Sequence, residues 1–289
     1  MRGQIIKLIS NQYTVLLEDK RIVLCVAMGK LRLGEALVCG DYVEVIEYEH
    51  QNAIEKLYER KNYLIRPPIA NVDQAFIVMS ATEPDFSTTL VDQLIFLISC
   101  KEIEPILIVT KMDLVDETHF VHRVIEDYKK SGYQVYLSGK GISPEPIIQA
   151  INNKITVLAG QSGAGKSSLL NRIEPSFQLS TQAISKALGR GKHTTRHVEL
   201  HFVQDGWVAD TPGFSKLDFT RLSKEELRDH IPDFKKYEGL CKFRNCMHQN
   251  EPGCAIKAGV EEGTVSKTRY HHYIECLTMI ETEGKKHYE

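Results

Sequence analysis

Apolar and polar positions change their period twice along this chain, and the changes divide it into three parts. Over the first sixty-odd residues the stretches IIKLI, YTVLLE, RIVLCVA and YVEVIEY are β-rich and separated by polar or Gly-containing breaks. Five or so short strands in this length suit a small barrel, and both an OB-fold and an SH3-like barrel answer the pattern. Arg66-Pro67-Pro68 then interrupts it, because Pro-Pro continues neither a helix nor a strand well. The expected first domain is therefore a small β-barrel over residues 1–67.

From about Val72 the apolar runs become continuous. QAFIVMSA, PILIVT and ITVLAG lack alternation, as strands covered on both faces do. TTLVDQLIFLISCKE reads as a helix starting near Thr88 or Thr89, and a second helix runs from about Glu117 to Lys130. The strand YQVYL, a helix from Lys166 and the hairpin VELHFV-QDG-WVAD complete the set. Strands alternating with helices predict an α/β domain with a mostly parallel sheet, over residues 68–222. Beyond it the pattern is helical and polar, then Cys/His-rich, then helical again, which defines a third part over residues 223–289. Ser223 followed by Glu226 is a capping box at the start of that part.

Composition narrows the function classes. The 289 residues are enough for two domains of about 100–200 residues and a small third. With 36 Lys+Arg against 38 Asp+Glu the net charge is -2, which excludes a uniformly basic nucleic-acid coat and leaves local basic patches open. The best membrane-span candidate, Leu90 to Cys100, is broken by Asp92 and Gln93 and falls short of the roughly 18 apolar residues a span needs. The opening MRGQIIKLIS leads into strand-like sequence rather than a signal-peptide core. A soluble, cytoplasmic protein is expected. Of the seven cysteines, Cys25, Cys39, Cys100 and Cys276 stand in apolar surroundings and read as buried free thiols.

The chemistry is announced by Gly160-Gln161-Ser162-Gly163-Ala164-Gly165-Lys166-Ser167, which fits G-x-x-x-x-G-K-[ST] with a strand before it and the helical SSLLNRI, beginning at Ser167 and Ser168, after it. Glycines let backbone N–H groups curl around phosphate oxygens, and a helix N-terminus adds partial positive charge. Lys166 would reach the β- and γ-phosphates, and the Ser167 hydroxyl would bind Mg²⁺. Asp210-Thr-Pro-Gly213 follows another strand; there an Asp can hold a metal-bound water and Gly213 lets its N–H approach a γ-phosphate.

Thr110-Lys111-Met112-Asp113 follows the apolar strand ILIV and resembles the base-reading motif of GTPases. Asp113 would accept hydrogen bonds from the ring N–H and exocyclic amine of guanine while the Lys111 stem covers the base. Adenine lacks both donors, and each lost bond costs about 1–3 kcal/mol, more when a charge is left unpaired. Ser138-Gly139-Lys140, after YQVYL, resembles the loop that supports the base through backbone N–H groups. Near the C-terminus Cys241-x4-Cys246-x-His248-x5-Cys254 supplies three thiolates and an imidazole, a set that fits a closed, tetrahedral, structural Zn²⁺ site. His271 and His272 read as surface positions on a helix.

The base-reading pair precedes the phosphate loop, the reverse of the conventional order. With TKMD, SGK, GQSGAGKSS, GRGKHTTRHVEL, DTPGF and the Cys/His segment together, the chain resembles the circularly permuted GTPases, and more narrowly the ribosome small-subunit-dependent GTPase A family. The resemblance spans nearly the whole chain. It implies an N-terminal OB-like barrel, a central circularly permuted P-loop GTPase domain and a C-terminal helical zinc-binding domain, with GTP/GDP, Mg²⁺ and one Zn²⁺ as cofactors. It makes the loop SKALGRGKHTTRHVEL the first switch, in which Thr195, or less readily Thr194, binds Mg²⁺. Many GTPases orient the attacking water with a Gln just after D-x-x-G, where this chain has Phe214. His193 is then the candidate for water positioning and hence for slow intrinsic hydrolysis. A GTPase that binds the small ribosomal subunit and its rRNA, acts late in subunit maturation and works as a monomer is the expected function. A P-loop kinase or ATPase is the rival that TKMD argues against.

Overall fold

The structure, a computed structural model, describes residues 1–9, 11–29, 31, 35–48, 51–65, 67–177, 198–209, 219 and 222–286, with the backbone alone for 283–286. His193, Thr194, Thr195, Asp210, Gly213 and Phe214 lie outside the described residues. Two compact units share the chain. One comprises Met1–Ala75, Pro144–Leu158 and Ser167–Phe214, the other Phe76–Ser143, Ala159–Lys166 and Ser215–Glu289.

In the first unit, β1 (Arg2–Ile9), β2 (Gln12–Leu17), β3 (Ile22–Ala27), β4 (Tyr42–Glu47) and β5 (Asn52–Leu57) close a barrel in the order β1-β2-β3-β5-β4. The parallel β3/β5 pair and the antiparallel β1/β4 closure settle the barrel as OB-like. Ile5, Val15, Val43, Val45 and Ile54 fill its interior, and in β4 Val43 and Val45 alternate with less buried positions as in a half-buried strand. Strand β5 carries Glu55 and Lys56 on its exposed side and so has no clean apolar alternation. Arg60 grips the buried Asp41 with both nitrogens of its fork, at 2.7 and 2.8 Å, while Asp41 also accepts the Val38 N–H. The chain then forms a small hairpin, β6 (Tyr63–Ile65) against β7 (Pro68–Ala70). Pro68 can open β7 because it stands first in the strand and donates no ladder bond. Also in this unit, α3 (Glu145–Ile151) leads into β11 (Ile155–Ala159), which pairs in parallel with β13 (Gly206–Ala209); β12 (Leu200–Val203) closes an antiparallel hairpin on β13. The barrel is tied to the approach of β12 by the Lys7–Glu199 ion pair at 2.7 Å and by the Cys39 thiol, which donates to the Val198 carbonyl.

The second unit holds β8 (Gln74–Ser80), β9 (Glu104–Thr110) and β10 (Val135–Leu137) in the order β10-β9-β8, with β9 and β10 parallel. Every residue of β8 is buried, as its unbroken apolar run predicts. Helix α1 (Thr88–Ser99) is capped by Ser87, whose side chain accepts the Leu90 N–H, and α2 (Phe120–Lys130) starts three residues later than its sequence suggests. The phosphate loop of this unit ends at Lys166, the first residue of helix α4 (Lys166–Ile173), whose remaining residues belong to the first unit. The C-terminal part contributes α5 (Lys224–Asp229), with the Ser223–Glu226 capping box formed, α6 (Ala255–Glu261) and α7 (Lys267–Lys286). Two expectations change. His272 is buried on α7, not on the surface, while His271 is exposed; Cys100 is only half-buried, whereas Cys25, Cys39 and Cys276 are buried. Among the described residues no helix is long and apolar enough to cross a membrane.

Candidate nucleotide and zinc sites

Three loops of the second unit converge: those that follow the parallel pair β9 and β10, and the phosphate loop, which runs against β8. The phosphate loop passes β8 so closely that a Cβ on Gly160 would stand 2.1 Å from the Val78 carbonyl oxygen, and Gly160 has φ +124, a conformation open to glycine alone. Thr110, at the end of β9, is buried, and its hydroxyl lies 2.6 Å from the Ala164 carbonyl oxygen and 3.2 Å from that of Met79. One side chain thus pins the middle of the phosphate loop to the strand that carries the base-reading segment. The only sequence signal for this role is the first letter of TKMD.

Lys166 folds back over the same loop. Its ammonium donates to the carbonyls of Gly160, at 2.8 Å, and Gln161, at 2.6 Å. Burial pushes the amine down to about 8, since a charge withdrawn from water loses solvation. Gln161 reaches the Asp85 carbonyl, Ala164 is buried, and Ser162, Gly163 and Ser168 are exposed. Ser167, buried at the first turn of α4, follows directly. Loop N–H groups, a helix N-terminus and one lysine form a cradle that fits a polyphosphate.

Lys111 sits at φ 57 and its amine donates to the Glu83 carbonyl, a partner that nothing in the sequence singles out. Met112 is buried and Asp113 is exposed. The loop 138–140 is held against them by backbone bonds: the Ser138 N–H donates to Val109 and the Met112 N–H donates to the Ser138 carbonyl. Gly139 is buried, and a Cβ there would come within 2.5 Å of the Asp113 carboxylate and 2.9 Å of its amide nitrogen. Only glycine lets the two loops meet at that spacing. Lys140 is exposed.

The second cluster is also local. The donor atoms of Cys241, Cys246, His248 and Cys254 lie within 4.8 Å of one another, and His248 Nδ1 is 3.7 Å from the Cys241 sulfur and 3.4 Å from that of Cys254. Ligands about 2.0–2.3 Å from a tetrahedral Zn²⁺ stand roughly 3.5–4 Å apart, so the set fits that ion. Burial pushes the Cys246 thiol up to about 12, so a cation is what would hold it as thiolate. The loop is braced from outside: Tyr270 and Tyr273 donate to the carbonyls of His248 and Met247, Glu251 accepts from the N–H groups of Met247 and Gln249, and Phe234 meets the His248 ring edge-on at 5.4 Å. His248 has φ 59, and these bonds hold the turn there.

A phosphate loop preceded in the chain by its base-reading segment marks a P-loop GTPase in circularly permuted order. The chain belongs to the RsgA GTPase family, whose profile matches residues 57–220. It is 46% identical over 288 residues to the small ribosomal subunit biogenesis GTPase RsgA of Bacillus pumilus strain SAFR-032, covering 96% of this chain and 97% of that one. The protein of the same name from Bacillus subtilis strain 168 is also 46% identical, with the same coverage. Among solved structures, YloQ, described as a circularly permuted GTPase, superposes with a TM-score of 0.83 at 41% identity over 97% of this chain and 95% of that one. YjeQ from Thermotoga maritima gives 0.84 at 34% identity, over 96% and 98%.

Proposed function

We propose that this GTPase binds the small ribosomal subunit and its rRNA and acts late in subunit maturation, with low intrinsic hydrolysis that the subunit stimulates. The names of the relatives support the partner, and the near-complete coverage supports carrying it to this chain. One observation carries the chemistry: the Thr110 hydroxyl joins the guanine-reading strand to the phosphate loop, so base and phosphates are read by one connected frame.

In this reading Thr110, Lys111, Met112 and Asp113, with Ser138, Gly139 and Lys140, select guanine. Residues Gly160 to Ser168 cradle the phosphates. Lys166 exchanges its two carbonyl partners for β- and γ-phosphate oxygens, which stabilises the charge that moves onto them during transfer. Ser167 and Thr195 would hold Mg²⁺, which would neutralise phosphate charge when bound, with Asp210 as the further group on the metal side and Gly213 beside the γ-phosphate. His193 positions the attacking water when its loop is ordered by that contact. Cys241, Cys246, His248 and Cys254 hold one structural Zn²⁺. The division into 1–67, 68–222 and 223–289 assigns barrel, GTPase and zinc part their separate tasks, the first and third facing rRNA, in a cytoplasmic monomer.

The test is GTP turnover by the purified chain with and without purified small subunits. Turnover that rises many-fold with subunits, and falls back when His193→Ala is substituted, supports the reading. Turnover indifferent to subunits rejects it.

A further inference from the structure

Asp92, which interrupts the apolar run of α1, is only 1% exposed, and its charge is met from a residue 177 positions away. Arg269 on α7, 3% exposed, places Nε 3.2 Å from Asp92 Oδ1 and Nη1 2.7 Å from Asp233 Oδ1 and 3.0 Å from the Ser131 hydroxyl. Its guanidinium packs over the rings of both Tyr128 and Tyr133, 4.6 and 4.9 Å from their centres. The Tyr128 hydroxyl donates to Asp92 at 2.7 Å, and that of Tyr133 to Asp233. His272 adds Nδ1 at 2.6 Å from the second Asp92 oxygen, with its other ring nitrogen 3.0 Å from the Thr89 hydroxyl.

A buried ion network like this is a poor device for stability alone, because well-packed apolar side chains of the same volume often do as well. What it supplies is geometry: a planar fork with fixed directions, matched to carboxylates on two sides. The elements it grips are informative. Asp92 and Thr89 belong to α1, which feeds β9 and so Thr110 to Asp113. Tyr128 and Ser131 lie on α2 and its C-cap, which follow that segment. Tyr133 stands two residues before β10, which leads directly into Ser138. Helices α1 and α2 touch this cluster, and the start of β10 leads directly from it. At its other end Asp233 adjoins Phe234, whose ring meets the zinc-ligand candidate His248.

We propose that Arg269 is a positioning residue for guanine recognition, holding α1, α2 and the start of β10 from the C-terminal helix so that the loops of Asp113 and Gly139 keep the spacing that base selection needs. The proposal rests on the reading of Asp113 as the guanine acceptor. The spacing leaves little slack, since an added methyl at Gly139 would already stand within 3 Å of Asp113 at two atoms. A misplacement of about 1 Å far from the reacting atoms can cost on the order of a hundredfold.

The test compares full-length, zinc-loaded wild type with Arg269→Met, Arg269→Lys and Tyr133→Phe. Cooperative melting and zinc content confirm the fold, and calorimetry measures the affinity for non-hydrolysable analogues of GTP and ATP. The expected result is a guanine-over-adenine preference lowered about tenfold in Arg269→Met, or about 1.4 kcal/mol, partly restored in Arg269→Lys and lowered by a smaller factor in Tyr133→Phe, with ATP-analogue affinity unchanged. Tyr133→Phe keeps its ring and carries the test if Arg269→Met does not fold. Preference equal to wild type, or equal losses for both nucleotides, overturns the proposal and leaves Arg269 as a packing element. A wild type with no guanine preference overturns the Asp113 reading itself, and the proposal with it.

Discussion

The phosphate loop and the Arg269 cluster lie in the same compact unit and are built from opposite materials. The loop works by what its residues lack: Gly160 has no Cβ to strike Val78, just as Gly139 in the neighbouring loop 138–140 has none to strike Asp113, so backbone reaches where side chains cannot. The cluster works by what its residues carry, two carboxylates, a guanidinium, an imidazole and two phenols brought together from four stretches of chain. The first device binds a ligand with open backbone groups; the second has satisfied its groups internally and can only hold its neighbours. The Cys/His cluster shares features of both, with donor side chains as in the second and a short local spacing as in the first.

Substitutions should separate these devices by size of effect. Replacing Cys254 by Ala removes one of four donors; structural zinc sites contribute about 10–16 kcal/mol to the fold they close, so zinc content by metal analysis should fall to near zero and the segment 241–254 should lose amide protection. Arg269→Met leaves Asp92 and Asp233 buried without their cation, and denaturant unfolding should show a loss of about 3–5 kcal/mol. Gly160→Ala forces a side chain into a glycine-only conformation, at about 1–3 kcal/mol in stability. Its larger consequence should be loss of nucleotide binding by fluorescence titration, which Arg269→Met at a folded temperature would spare in part.

The smallest effect is the pH response of Lys166. Burial holds its folded value near 8, below the ordinary lysine value of 10.5. The unfolded chain therefore binds more protons between these values, and the nucleotide-free protein gains stability as pH rises from about 8 toward 10.5. Binding runs the other way: a polyphosphate favours the ammonium, so above pH 8 its binding must take up a proton and weaken as pH rises. Calorimetry at pH 9 in buffers of different ionisation enthalpy should show that uptake, approaching one proton, and show none from this group at pH 7.

What can be read from the sequence follows the same division. Local spacing carries the phosphate loop, the TKMD and SGK segments and the Cys/His set, because each is a short string whose chemistry needs neighbours in the chain. Continuous apolar runs carry β8, β9 and β11 for the same reason. Strand β5 escapes the pattern, since Glu55 and Lys56 break its period, and so does α3, a helix of two turns. The barrel type depends on the parallel pairing of β3 with β5, a long-range fact that no strand contains by itself. His272 reads wrongly as a surface residue because its partner, Asp92, lies 180 residues away and looks in the sequence like the polar break of an apolar helix. Asp113 is exposed, so in the proposed reading its selectivity would come from enclosure by the bound base and the Lys111 stem rather than from burial within the protein.

The most direct measurement of the central claim is calorimetric titration of wild type and Asp113→Asn with GTP, ATP and xanthosine triphosphate analogues. Xanthine carries a carbonyl where guanine carries its amine, so an Asn amide can donate to it where a carboxylate cannot. On this account wild type should prefer GTP strongly over ATP, and Asp113→Asn should lose GTP affinity by about a hundredfold, because one charge-assisted bond goes and an amide N–H is left facing the guanine amine, while it gains affinity for the xanthosine nucleotide. A wild type that binds GTP and ATP alike, or an Asp113→Asn protein that binds GTP as before, would contradict it.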